Sequence, residues 1–306
     1  MGVASLSLSG PARINGIRVN APVTGKEFYV SSGTGGTSSR NGEDPNFPFS
    51  TLALALDAGR ASLDDTIYLM PGHVESIGNA QIAIDVVGMN IVGLGHGASR
   101  PRFDYDNAAS SIDVTASDCT IRNITIRPSV TDVLVGIDVN TLVLNTLIED
   151  VEALPGEDGA GVDDFALVVD LKVGVTSTVI RRLKVRQHAS GAGYIAGIRL
   201  TGASDDVLIE GCDIDLLGAG LIAPINGLTT LSTKLRIRDC LLTTDAEPGI
   251  ELLTGTTGSI EYVNIFADLA TIDAATVADG MAHFECYYVE VGNEAGTLIK
   301  TPSVDD

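Results

Sequence analysis

The sequence predicts an all-β chain wound into a single-stranded parallel β-helix, and three observations carry that prediction. A frame of isoleucine, charged residue, any residue, apolar, variable and apolar recurs at Ile121, Ile148, Ile180, Ile209, Ile237 and Ile260, at intervals of 27, 32, 29, 28 and 23 residues. A second, offset series keeps the same pace: Ile112-Asp113-Val114, Ile137-Asp138-Val139, Leu167-Val168-Val169, Ile198-Arg199-Leu200, Leu221-Ile222-Ala223 and Ile250-Glu251-Leu252. The composition is the third, with 34 glycines, 5% aromatic residues and no tryptophan, which favours short strands and tight turns over a thick helical core. Period-two alternation of β-branched residues makes each frame a strand, and the Gly, Asn, Asp and Ser clusters between frames make turns. Two or three strands per repeat bury their apolar faces most simply by stacking coil on coil, about 4.8 Å apart.

Taken in chain order, residues 1–26 form a separate arm rich in Gly, Ser, Pro and Ala. Around residues 48–56, Ser50 is expected to cap a short helix whose Leu52, Ala55 and Leu56 share a face, a lid for the open end of the coil stack. Strands are expected at 66–69, 82–84 and 90–92, ahead of the regular repeats. The helix proper then covers 27–265, and residues 266–306 form a C-terminal cap. That cap ends in a hairpin with arms at 284–291 and 297–301, turning at 292–296.

Stacking gives the second position of the frame a meaning. Its occupants are Arg122, Glu149, Arg181, Glu210, Arg238 and Glu261, in strictly alternating sign. Equivalent positions of successive coils are vertical neighbours, so these six should form a charge ladder. Their individual worth is small, about 0–1 kcal/mol for an exposed pair. The fourth positions should point inward, which places Cys212 and Cys240 on adjacent coils as small core residues. With Cys119 and Cys286 they lack metal or redox spacing, so four buried reduced thiols are expected.

The net charge of −21, from 40 acidic and 19 basic residues, excludes a polyanion such as nucleic acid as the expected partner. It is unevenly spread: Arg13, Arg18 and Lys26 give the arm +3 with no acid, leaving −24 for the remainder. No run approaches the length of a membrane span, and residues 1–15 lack a secretory pattern, so assembly in a cytoplasm without membrane association is expected.

The segment FYVSSGTGGTSSRNGEDPNFPFSTLALALDAGRASLDDTIYLMPGHVE, residues 28–75, resembles the entry of pectin-lyase-like right-handed β-helix proteins. Its aromatic strand, Gly/Asp-rich loop, Pro-Phe-x-Thr helix and Asp-Thr-Ile-x-Leu-x-Pro-Gly strand carry the likeness. The acidic, Trp-free chain with a separate arm is most similar to bacteriophage virion proteins of that superfamily. The resemblance implies a right-handed homotrimer that decorates the capsid surface as a cement protein, docking on the major capsid protein or another virion protein through Arg13, Arg18 and Lys26. The alternative it leaves open is a tailspike or receptor-binding β-helix with polysaccharide-binding or depolymerase activity.

Catalysis by such a scaffold needs paired carboxylates on one outer face. Asp104 with Asp106, Asp205 with Asp206, and Asp213 with Asp215 are the candidates, each read as turn or solvated residues. His96 in Gly95-His96-Gly97 lies too many coils from Asp205 to join it. Glu152, Glu157, Asp158, Asp163 and Asp164 match no calcium loop, and His73, His188 and His283 no metal spacing. Arg181, Arg182, Lys184 and Arg186 read as internal charge partners. With few aromatics to stack on sugars, the expectation is a structural protein with no catalytic residues, metal or cofactor.

Overall fold

The computed structural model describes residues 13–14, 17–18, 25–33, 41–78, 81–156, 163–186, 196–216, 223–227, 230–244, 249–267, 281–290 and 297–298. They form a parallel β-helix of three sheets, here sheets 1 and 2 with ten strands each and sheet 3 with seven. Among the described residues a regular coil runs from sheet 3 to sheet 1 to sheet 2, and its strands pair in parallel with their equivalents one repeat later.

Sheet 1 shows why the leading isoleucines recur. Phe28, Ile67, Ile91, Ile121, Ile148, Ile180, Ile209, Ile237 and Ile260 are register partners in sequence, and each is at most 2% exposed. The side-chain period of two makes this register self-enforcing, because a slip by one residue would turn the whole stack to solvent. Between sheets 1 and 2 the chain turns on one residue in left-handed backbone: Asn123, Asp150, Arg182, Gly211, Asp239, Tyr262 and Glu285, with φ between 47° and 61°. Asn and Asp tolerate this region through local side-chain hydrogen bonds. Asn123 also ties its turn to the preceding coil, donating from Nδ2 to the carbonyls of Gly93 and Gly95 at 2.7 and 3.0 Å.

The entry segment folds as its sequence suggests, with one shift. The helix is Leu52–Ala58, buries Leu52, Ala55 and Leu56, and is capped by Thr51 rather than Ser50. Glu75 explains the shift: its Oε2 accepts the Leu52 amide at 2.8 Å, and Thr51 Oγ1 accepts that of Leu54 at 3.4 Å. Asp65, fully buried, ties this region to the start of the helix. It accepts the backbone amides of Lys26 and Arg60 at 2.6 and 2.8 Å and pairs with the Arg60 guanidinium at 2.7 Å. Burial opposes its charge, but the hydrogen bonds from Arg60 and Lys26 win and hold its carboxyl below the usual range.

Two readings of the repeat are corrected. The frame does not stop at Ile265: strands Met281–Phe284 and Tyr287–Glu290 add a further coil in register, His283 opposite Ile260 and Phe284 opposite Glu261. The substitution of His for Ile at the leading position hides it in the sequence. The cap hairpin is present as the antiparallel pairing of Tyr287–Glu290 with Thr297–Leu298, and its turn at 292–296 lies outside the described residues. The second correction concerns sheet 3, where the true partners are Ile137, Val169, Ile198, Ile225 and Ile250. The true partner of Ile137 is Val169, two residues beyond Leu167, and burial does not alternate there: Val168 and Val169 are both fully buried. Two successive buried residues break the alternation that sequence reading relies on.

All four cysteines are free and buried. Burial pushes the Cys119 and Cys286 thiols up from their ordinary range. Among the described residues, no helix is long and apolar enough to cross a membrane.

Candidate functional site

The corrected register of sheet 3 aligns a column of outward residues: Asp113, Asp138, Asp170, Arg199, Asn226 and Glu251. Three carboxyl groups therefore stand on three consecutive coils, with neighbouring backbones about 4.8 Å apart. Sequence reading missed them because it aligned Val168, not Asp170, with Asp138. The visible signal was the shared Asp of Ile112-Asp113-Val114 and Ile137-Asp138-Val139, which extends to Val169-Asp170-Leu171 once the third triplet is moved by two residues.

The three carboxyls have different surroundings. Asp113, 7% exposed, accepts a hydrogen bond from Ser111 Oγ. Asp170, 1% exposed, is bound by Thr201 Oγ1 and by Lys172 Nζ at 2.5 Å. Asp138 between them keeps 17% of its side chain in solvent, has Lys172 Nζ at 3.6 Å from Oδ2, and leaves Oδ1 buried without a hydrogen bond. Burial raises its pKa to about 6; Lys172 opposes the rise, and the charges of Asp170 and Asp113 add to it. Burial works against the Lys172 charge too, but Asp170 and Asp138 outweigh it and hold the ammonium above its usual value. The result is one partly exposed carboxyl that holds its proton to weakly acid pH, beside a carboxyl group anchored by Lys172 and Thr201. A carboxyl whose pKa is raised towards neutrality is suited to donate a proton.

The residues singled out from sequence fall elsewhere. Arg122, Glu149, Arg181, Glu210, Arg238 and Glu261 stand in register on sheet 1. Four successive contacts join the first five: Arg122 with Glu149, Glu149 with Arg181 at 3.4 Å, Arg181 with Glu210 at 2.6 Å, and Glu210 with Arg238 at 2.5 Å. Glu149 is buried at 4% and also holds Arg182, at 2.7 Å, so the ladder is more interior than an outer face suggests. Lys26 pairs with Glu43 of the body. Arg13 and Arg18 are opposite one another in a two-stranded antiparallel pairing of Arg13–Ile14 with Ile17–Arg18.

None of the sequence-derived Asp pairs faces an open site. Asp104 is held by Arg102 and Arg127, at 3.0 and 2.9 Å. Asp205 accepts from Thr233 and Lys234, and Asp206 from Ser177 and Arg236, so both tie adjacent coils together at the turn between sheets 3 and 1. Asp213 pairs with Arg186, and burial raises the pKa of neighbouring Asp215. His96 precedes a short 3-10 turn, Gly97–Ser99. His73 is buried and accepts the Ser32 amide on Nδ1 at 2.9 Å, with Glu75 3.0 Å from Nε2. A pocket of about 280 Å³ lined by Arg100, Asp150, Glu152, Arg182 and Lys184 is crossed by internal ion pairs, Arg100 and Lys184 to Glu152 and Arg182 to Asp150. Glu157, Asp158 and His188 lie outside the described residues. Among the described residues no group of three His, Cys, Asp or Glu side chains has metal-binding geometry.

Comparison with known proteins follows the fold rather than the sequence. No protein-family model and no curated protein matches the chain. Among solved structures, a rhamnogalacturonan lyase superposes with TM-score 0.64 over 85% of this chain and 73% of its own, at 13% identity. The two share one fold, the pectin-lyase-like β-helix. A lacto-N-biosidase of family GH136 from Eubacterium ramulus gives TM-score 0.37 at 12% identity over 87% of this chain and 67% of its own. The A-module of the mannuronan C-5 epimerase AlgE6 from Azotobacter vinelandii gives 0.36 at 12% identity, over 78% and 88%. The expectation that the chain is no enzyme is corrected by the first of these. A structure that shares its architecture is by name a rhamnogalacturonan lyase, so the scaffold does not argue against catalysis. The likeness at this identity is one of fold, and it carries no mark of a virion role.

Proposed function

We propose that the protein binds and cleaves a polysaccharide along the outer face of sheet 3, with Asp138 as the general acid. One observation carries the reading: an accessible carboxyl with its pKa raised to about 6 stands between two buried carboxyls, and its neighbour Asp170 is held by Lys172 and Thr201. In this reading Asp138 passes its proton to the oxygen of the departing sugar. Asp113, which accepts a hydrogen bond from Ser111 Oγ, takes the proton of the attacking water. Asp170, anchored by Lys172 and Thr201, helps secure the proton on Asp138 by charge repulsion. Activity should therefore fall as pH rises through about 6, because only protonated Asp138 is competent. The measurement is release of new reducing ends from a panel of neutral and acidic polysaccharides between pH 4 and 9. A rate that climbs steadily to pH 8 would remove Asp138 from the acid role.

The setting we propose is that of the tailspike or receptor-binding class of β-helix, tethered to a phage particle by the arm. The support is the acid-free arm with its Arg13–Ile14 and Ile17–Arg18 pairing, in contrast to an acidic body. Gly25 is packed so closely on Asp64 that an added Cβ would lie 2.1 Å from its carbonyl oxygen, so the body begins there. A chain lacking residues 1–24 should fold and cleave normally yet fail to co-sediment with particles. Undiminished co-sedimentation would overturn the tether.

A further inference from the structure

Charge pairing on the body is nearly complete, and one residue departs from it. Of the lysines and arginines whose side chains the structure describes, all but Arg199 are joined to an Asp or Glu. Arg199 has no ion pair among the described residues, and its Nε is buried without a hydrogen bond. With 40 acidic residues for 19 basic ones, acids are not scarce in this chain, so the omission is specific to the position.

The register explains why no internal acid serves it. Arg199 stands on sheet 3 between Asp170 of the preceding coil and Asn226 of the next. Asp170 is engaged by Lys172 and Thr201, and Asn226 donates from Nδ2 to Glu251 Oε2 at 3.1 Å. Both register neighbours are thus turned to other partners. A guanidinium carries five donors in a planar fork, and a buried donor left unmade costs stability that no internal contact returns here. The side chain is half-buried, so part of it remains open to solvent.

We propose that Arg199 is a ligand-binding residue that takes a carboxylate from solution. The two coplanar oxygens of a carboxylate match the guanidinium fork in bidentate fashion, and its single negative charge equals the single positive charge offered. A dianionic phosphate would bring a second charge towards Asp170, one rung away, and Glu251, two rungs away, and those acids disfavour it. Arg199 lies two rungs from Asp138 on the same column, about 10 Å at 4.8 Å a rung. Binding of this kind does not require Asp138 to be an acid, so it stands apart from the catalytic reading.

Glucuronate and glucose differ by one group, a carboxylate in place of a hydroxymethyl, and the pair isolates the interaction. Phenylglyoxal modifies arginines, and peptide mass spectrometry of the full-length protein reads the rate at each one. Near saturation, sodium glucuronate should slow modification of Arg199 about tenfold relative to glucose at equal ionic strength. Arg236, 50% exposed and paired with Asp206, should stay unprotected. Glucuronate should also raise the melting temperature of the parent by about 2–4 °C and leave that of Arg199→Gln unmoved. Equal modification rates in glucuronate and glucose overturn the site, as does an undiminished melting shift in Arg199→Gln. Protection by sulfate or phosphate as strong as that by glucuronate overturns the assignment to a carboxylate. The protection assay uses the unaltered chain, so it decides the question even where Arg199→Gln fails to fold. Asp138→Asn, which tests the catalytic reading, should leave the protection of Arg199 unchanged, and each inference can therefore fail alone.

Discussion

Asp138→Asn should abolish turnover and at the same time make the protein more stable at neutral pH. The activity loss follows from removing the proton donor, a group whose contribution is typically 10²–10⁴-fold. The stability gain follows from linkage. The carboxyl of Asp138 has its pKa raised to about 6 in the folded chain, so the folded state holds the proton more tightly than the unfolded state. Its favourable contribution is complete below the unfolded pKa of about 4, and it is lost as pH rises through about 6. At pH 8 the ionised, half-desolvated carboxylate costs on the order of 2–3 kcal/mol, which a neutral amide of the same shape avoids. Urea denaturation of the two proteins at pH 4.5 and pH 8 checks this: the curves should nearly coincide at the lower pH and separate at the higher. Equal midpoints at pH 8 would mean that Asp138 is not held in a raised state, and retained reducing-end release would mean that it is not the acid.

Glu149→Ala should be the most damaging single change on sheet 1. Its carboxylate is 5% exposed and receives Arg122, Arg181 and Arg182, so alanine leaves three guanidinium groups crowded around an empty site. Arg181 retains Glu210 and Arg182 retains Asp150, and the three arginines are partly solvated, which tempers the cost. Truncating one partner of a buried pair costs about 3–5 kcal/mol; with that solvation, about 2–4 kcal/mol is expected here. Lys234→Ala, which removes a 70% exposed partner of Asp205, should change stability by less than about 1 kcal/mol. Comparable effects in the two variants would mean that the ladder is surface decoration with no cohesive role.

What the sequence discloses and what it hides divide along one physical line. The isoleucine stack is legible because sheet 1 keeps strict alternation for nine rungs, and the alternating charges are legible because they ride on that register. Sheet 3 does not alternate in burial, with Val168 and Val169 both buried, so a two-residue misalignment conceals Asp170 and dissolves the carboxylate column into scattered acids. The same loss of pattern hides the last coil, where His283 stands at an isoleucine position. Asp205 and Asp206 mislead in the opposite sense. Adjacency in sequence looks like a catalytic pair, but both side chains are bound to cations or hydroxyls of the next coil or the preceding one.

The sign alternation on sheet 1 has a consequence for how such a chain can change length. Any isoleucine rung can follow any other, so the hydrophobic stack is indifferent to how many coils are spliced in or out. The outer column is not indifferent. Excising the single coil of Glu149 would set Arg122 against Arg181, whereas excising it together with the coil of Arg181 would set Arg122 against Glu210. Within the charged rungs from Arg122 to Glu261 the ladder thus imposes a parity rule on gene-level editing: interior coils of that stretch are gained or lost without electrostatic conflict only in even numbers.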